Sequence, residues 1–162
     1  MKRMDLLVQG TEELGIALSD AQLDCFDAYY RELVDWNSRF NLTSITDHND
    51  VQIKHFLDSL TLLLTVNPSD LKLSKVIDVG TGAGFPGIPL RIVFPELKLY
   101  LLDSVAKKTG FLEHVLERLN MPDVTVLTGR AETLAHDVNM RETFDFVLAR
   151  ALARLPVLLE YT

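Results

Sequence analysis

At 162 residues the chain has room for one domain with a sizeable core and too little for two large ones. A hydrophobic share of 48% beside 24% charged residues excludes a disordered chain, and no apolar run approaches a membrane span. The net charge of −7 argues against a protein that coats nucleic acid, and the single cysteine, Cys25, excludes an internal disulfide framework and suits a reducing compartment. The stretch from Met1 to Gly10 lacks the apolar run of a secretory signal, so a cytoplasmic protein without membrane contact is expected.

The first 66 residues read as a helical segment. Ser19-x-x-Gln22 is a capping-box pattern that opens a helix over residues 20–39, with Leu23, Phe26, Tyr30, Leu33 and Val34 at helical spacing. Asn37 to Ser44 breaks the pattern as a loop. A second amphipathic helix is expected over residues 51–64, its apolar stripe carrying Ile53, Phe56, Leu57, Leu60 and Leu64. Asn67-Pro-Ser-Asp70 reads as a hinge or boundary. Residues 67–162 then form a second unit.

In that unit strands and helices alternate. Strands are expected at residues 75–79, 97–102, 124–127 and 144–149, and helices at 86–94 and 105–119. A further helical stretch is expected at residues 155–161. The alternation predicts an α/β fold, a parallel sheet with helices on both faces.

Val76-Ile-Asp-Val79 runs straight into glycines at 80, 82 and 84. Such a loop lets backbone approach a ligand, and its amides are expected to face whatever sits above the strand end. Two cofactors fit. Gly82-Ala-Gly-Phe-Pro-Gly87 satisfies the dinucleotide pattern G-x-G-x-x-G, with Asp103 as the ribose-binding acid. Asp78-x-Gly-x-Gly-x-Gly84 satisfies the first motif of S-adenosylmethionine-dependent methyltransferases, and Asp103 serves that ribose equally well. Asp78 separates the two: a carboxylate complements a sulfonium and an ammonium and repels a pyrophosphate. Its simpler role, accepting hydrogen bonds from the loop's own amides, is compatible with the first.

Asn41-Leu-Thr-Ser44, Lys54-His-Phe-Leu-Asp-Ser59, Asp78-Val-Gly-Thr-Gly-Ala-Gly-Phe-Pro-Gly-Ile-Pro89, Leu102-Asp-Ser104, Arg130-Ala-Glu132 and Arg150-Ala151 occur in this order. Together they resemble the bacterial 16S ribosomal RNA guanine-N7 methyltransferase family, also called glucose-inhibited division protein B. The resemblance implies a Rossmann-like class I methyltransferase fold behind an N-terminal helical segment. It also implies S-adenosylmethionine as cofactor, and 16S ribosomal RNA or the small ribosomal subunit as partner. Gly80, Phe85, Ala131, Glu132 and Arg150 carry over as donor-site residues. Asp78, Gly82, Gly84 and Asp103 join them from the general chemistry of such sites. Members of the family continue past residue 162 with three more strands, so the last strands are expected to be missing here and the domain to be incomplete. In the family's order the four strands run third, second, first, fourth, which leaves residues 146–149 as an apolar edge open to self-association.

Guanine N7 offers a free lone pair, so its methylation needs no general base. Arg150, at the carboxyl end of the fourth strand, and Asn41 are the candidate catalytic residues. His55, Asp58 and Ser59 read as packing or capping residues, as do Trp36, Tyr29 and Tyr30. His48 and His55 lack metal-ligand spacing, so no metal is expected. Arg39, Lys54, Arg91, Lys107, Lys108 and Arg154 are candidates for phosphate contact. Two other functions stay open: a nicotinamide-dependent oxidoreductase, and a non-catalytic cofactor-binding module.

Overall fold

The computed structural model describes residues 4–137 and 140–150. Its N-terminal part is helical: α1 (Asp5–Glu13), α2 (Asp20–Asn37), then an unbroken helical run from His48. That run is α3 (His48–Val51), a π-helical segment (Gln52–Leu57), α4 (Asp58–Leu60) and a 3-10 turn (Thr61–Leu64). The short α5 (Pro68–Leu71) leads into β1 (Lys75–Val79), α6 (Gly87–Val93), β2 (Lys98–Asp103), α7 (Ala106–Arg118), β3 (Thr125–Thr128), α8 (Ala131–Ala135) and β4 (Phe146–Ala149).

The capping box at α2 forms as expected. Ser19 Oγ accepts from Gln22 N, and Gln22 Oε1 accepts from Ser19 N at 2.9 Å. The same Gln22 amide donates to the carbonyls of Ile92 and Val93, closing the far end of α6. One side chain thus caps two helices and fixes α2 against the sheet layer.

The helix expected over residues 51–64 differs in its winding. Its buried residues are Val51 and Gln52, His55 and Phe56, Ser59 and Leu60. That is a period of four, from which an α-helix at 3.6 residues per turn drifts. The π turn winds more slowly and keeps the stripe facing inward. Ile53 and Leu64, placed on the apolar stripe by simple periodicity, are consequently 45% and 71% exposed. Buried Gln52 uses its side-chain oxygen to cap α1, accepting from Leu6 N and Leu7 N. The segment from Asn67, read as a hinge, is a capped helical turn: Asn67 Oδ1 accepts from Ser69 N, and Leu71 is fully buried.

The four strands pair in parallel in the order β3-β2-β1-β4, as expected. One sheet face, with Val76, Leu99, Leu101 and Leu148, shares a continuous core with α1, α2, α6, α7 and the helical run. Phe26, Tyr29 and Phe56 anchor it, each fully buried, with Phe56 tilted against Phe26 at 4.9 Å and stacked on Tyr29 at 5.4 Å. Fully burying such side chains contributes about 1.5–3 kcal/mol each, and here they hold the helical segment onto the sheet. The other face, with Ile77, Val79 and Leu102, lies under α8, a helix beyond those expected from the sequence. A cavity of about 770 Å³ runs along this second face. The helical stretch expected at residues 155–161 lies outside the described residues.

Candidate functional site

The turn between β1 and α6 is held from below by Asp78, which is fully buried. Its Oδ2 accepts from Thr81 Oγ1 at 2.7 Å and from Gly87 N at 2.8 Å. Gly87 must be glycine for this contact, because a Cβ there would come within 2.9 Å of the same oxygen and 2.7 Å of Leu101. Asp78 Oδ1 is buried too and has no hydrogen-bond partner among the described residues. Burial pushes the carboxyl up to about 7, against the pull of the Thr81 hydroxyl, the Gly87 amide and Arg150.

Most of the loop's amides turn inward, against the expectation that they face a ligand. Thr81 N donates to Leu102 O, Gly82 N to Asp103 Oδ2, and Gly84 N and Phe85 N to Thr81 O. With Gly87 N on Asp78, five backbone donors are engaged inside the turn. A buried polar turn must satisfy its own donors, and this one does so with two carboxylates and two carbonyls. It therefore offers little to a pyrophosphate. Gly82 and Gly84 sit at φ 61° and 100°, in the left-handed region.

Asp103 is buried at the end of β2, with Oδ1 accepting from Val105 N and Oδ2 from Gly82 N. Its carboxylate links the glycine turn to the start of α7. Ala131 and Glu132 open α8 beyond β3, and both line the 770 Å³ cavity together with Val79 and Leu102. The cavity therefore reaches the carboxyl ends of β1 and β2, beside Gly80 and Asp103.

Arg150 follows β4 directly. Its Nη1 donates to Asp58 Oδ2 at 2.7 Å, and its guanidinium lies 5.8 Å from the centre of the Phe85 ring. Phe85 carries two stacked rings, His55 at 4.3 Å and 10° and Tyr29 at 5.3 Å. The Tyr29 hydroxyl donates to Ala83 O, so the helical segment grips the glycine turn directly. His55 Nε2 meets Thr43 Oγ1 at 2.9 Å, while its Nδ1 is buried with no hydrogen-bond partner among the described residues. Burial, aided by nearby Arg150, holds the imidazole down to about 4, so it is neutral near pH 7.

Among the sequence-predicted residues, Asp78, Gly80, Gly82, Gly84, Phe85 and Arg150 gather at the β1 and β4 ends, and Asp103, Ala131 and Glu132 beside them at β2 and β3. Asn41 is exposed in its loop, and no described contact ties its side chain to the turn. Thr43, two residues on, is the member of that loop which reaches the site. The polar members missed were Tyr29, Thr43, His55 and Asp58. Thr43, His55 and Asp58 fall within Asn41-Leu-Thr-Ser44 and Lys54-His-Phe-Leu-Asp-Ser59, although nothing in those motifs told which of their residues would meet, and Tyr29 carried no motif at all. Arg91 is a correction: it is 7% exposed, paired with Asp123 at 2.9 Å, and unavailable to phosphate. Arg39 and Lys54 are each paired with a carboxylate one helical turn away. Arg154 lies outside the described residues.

Among solved structures, an O-methyltransferase from Bacillus cereus in complex with SAH aligns at a TM-score of 0.58 and 24% identity, covering 82% of this chain and 59% of that one. A protein-L-isoaspartate O-methyltransferase aligns at 0.58 and 13%, covering 90% and 47%. With the sheet order and the glycine turn, these define the fold as the Rossmann-like class I methyltransferase fold. Residues 22–162 match the family described as rRNA small subunit methyltransferase G. A protein of that name from Halalkalibacterium halodurans is 53% identical over 152 residues, 94% of this chain and 63% of its own. Another, from Acetivibrio thermocellus, is 48% identical over 161 residues, 99% of this chain and 65% of its own. The chain belongs to the rRNA small subunit methyltransferase G family, and it spans just under two thirds of the length of these relatives.

Proposed function

We propose that this chain binds S-adenosylmethionine at the carboxyl ends of β1, β2 and β4 and transfers its methyl group to N7 of a guanine in 16S ribosomal RNA. One observation carries the reading. Asp78 keeps a buried carboxylate oxygen, without a hydrogen-bond partner among the described residues, beneath a turn that already engages five of its amides. A site built that way attracts a cation and gives a diphosphate almost nothing.

S-adenosylmethionine supplies a methyl group on a positive sulfur. The chain's residues bind and orient. Asp103, anchored by two backbone amides, keeps lone pairs for ribose hydroxyls. Ala131 and Glu132, with Val79 and Leu102 behind them, provide an apolar bed with one polar edge for an adenine. Arg150, steadied by Asp58 and the Phe85 face, is poised to donate to a guanine O6 edge. N7 presents a lone pair, so no side chain needs to remove a proton, and in-line positioning carries the rate. His55, neutral and packed, fits a positioning role and not a proton carrier's.

The test is methyl incorporation from labelled S-adenosylmethionine into naked 16S RNA, the 30S subunit and the 70S ribosome. Label at a guanine that becomes sensitive to N7-selective strand scission supports the reading. Label at another atom overturns the N7 assignment, and donor binding without transfer to any form favours a cofactor-binding module.

A further inference from the structure

Thirteen of the chain's lysines and arginines lie among the described residues, and eight of them are paired with a carboxylate within 4 Å. The five left over are not scattered. Lys75 and Lys98 open β1 and β2 at the amino edge of the sheet, and Lys75 is further engaged by Thr143 and by the rings of Tyr100 and Phe144. Lys107, Lys108 and Arg130 lie at the other edge.

Those three sit on two abutting turns. Lys107 and Lys108 fall in the first turn of α7, just beyond Asp103, and Arg130 is the residue before α8, just beyond β3. β2 and β3 pair with Asp103 opposite Thr128, and Gly129 N donates to Asp103 O at 3.0 Å, which locks the two turns side by side. Lys107 Nζ rests 5.6 Å from the centre of the Phe40 ring, which holds it toward the loop that carries Asn41. Lys107 and Arg130 are exposed and Lys108 half-buried, so their charge is open to solvent. The acids nearby do not cancel it: Asp103 is buried and engaged by backbone amides, and Glu132 has a partner of its own.

In a chain of net charge −7, uncompensated cations have many carboxylates to choose from. Three left open on adjacent turns beside the site point to an anionic partner whose charges are spaced along a strand. We propose that Lys107, Lys108 and Arg130 form a phosphate track at the carboxyl edge of β2 and β3, which seats the RNA strand flanking the target base. This rests on the proposed function, and it assigns to β2 and β3 the side from which RNA reaches the methyl donor. The opposite wall, at Asp58 and Arg150, is charge-neutralised and left for the base itself.

The experiment is fluorescence anisotropy of a labelled, unstructured RNA oligonucleotide against salt concentration. Each phosphate contact on a single strand adds about −0.7 to the slope of log K against log salt, so losing three makes it shallower by about 2. The triple Lys107→Gln, Lys108→Gln, Arg130→Gln is expected to show that change and bind roughly a hundredfold more weakly at low salt. Lys98→Gln, at the far edge, keeps the wild-type slope. The pair Lys107→Gln, Lys108→Gln keeps wild-type affinity for S-adenosylhomocysteine, which shows the fold and donor site intact. An unchanged slope in the triple overturns this inference while the donor site stands. Polyglutamate displacing the RNA at equal charge overturns it in favour of an acidic protein partner. A wild type that binds S-adenosylhomocysteine but no RNA overturns the track, and one that binds neither overturns the proposed function as well.

Discussion

Asp78→Asn is expected to stabilise the protein while it weakens donor binding. The substitution keeps the shape and an acceptor oxygen for Thr81 and Gly87, and removes the buried charge while leaving an amide nitrogen in the place of the unpartnered Oδ1, which offsets about 1–3 kcal/mol of the gain. The carboxyl is raised from 3.8 to about 7 in the folded state, so between those values the folded chain holds a proton that the unfolded chain has released. Its contribution to stability is therefore fully present below pH 3.8 and is lost as pH rises through about 7. About three units at about 1.4 kcal/mol each amounts to roughly 4 kcal/mol of buried-charge cost above pH 7. His55, held near 4, works in the opposite sense between 4 and 6.5, so only the difference between variant and wild type isolates Asp78. Urea unfolding at pH 5, 6, 7 and 8 measures that difference. The variant is expected to gain progressively on wild type across the series and level off above pH 7. Its affinity for S-adenosylmethionine is expected to fall tenfold to a hundredfold, the size of a lost charge-assisted interaction of about 1.5–3 kcal/mol. A difference curve flat in pH, or donor affinity unchanged, refutes the reasoning.

Asp58→Asn releases Arg150 from its partner; because both groups are partly exposed, stability is expected to change by less than about 1 kcal/mol while kcat/KM falls, and Asp58→Glu restores part of it in a kinetic assay. Gly82→Ala meets no atom within 4 Å but holds φ 61°, so a cost of about 1–2 kcal/mol with loss of donor binding is expected by melting and titration. Gly84→Ala drives a Cβ to 2.5 Å from Ile88 and 2.6 Å from the Tyr29 hydroxyl, and is expected to destabilise more than Gly82→Ala in the same melting experiment. Ser19→Ala removes half of the capping box, and denaturant unfolding is expected to show a loss of about 1 kcal/mol with donor affinity unchanged.

The sequence was most transparent where one local rule acts alone. β1 covers the expected residues 75–79, and Ser19 and Gln22 cap α2 as their spacing required. The strand order followed from the resemblance and not from any periodicity. Periodicity misled in the 48–64 run because it assumes one winding, and a π turn there re-aims His55 and Asp58 at Phe85 and Arg150. Arg91 was misread because a charge on a helix suggests solvent, whereas the contact with Asp123 draws it inward. The glycine turn was read as a ligand site from its spacing, but where the Gly82 amide points depends on Asp103, whose carboxylate reaches it from the next strand. Long-range polar contacts of that kind leave no trace in local spacing. Tyr29 on Ala83 and Thr43 on His55 were hidden for the same reason.

Calorimetric titration of the chain with S-adenosylmethionine, run beside NADH, bears most directly on the claim that the Asp78 turn was built for a cationic methyl carrier. Saturable binding of S-adenosylmethionine at one site, with no heat from NADH, is the predicted result. Saturable NADH binding with none for S-adenosylmethionine would contradict it.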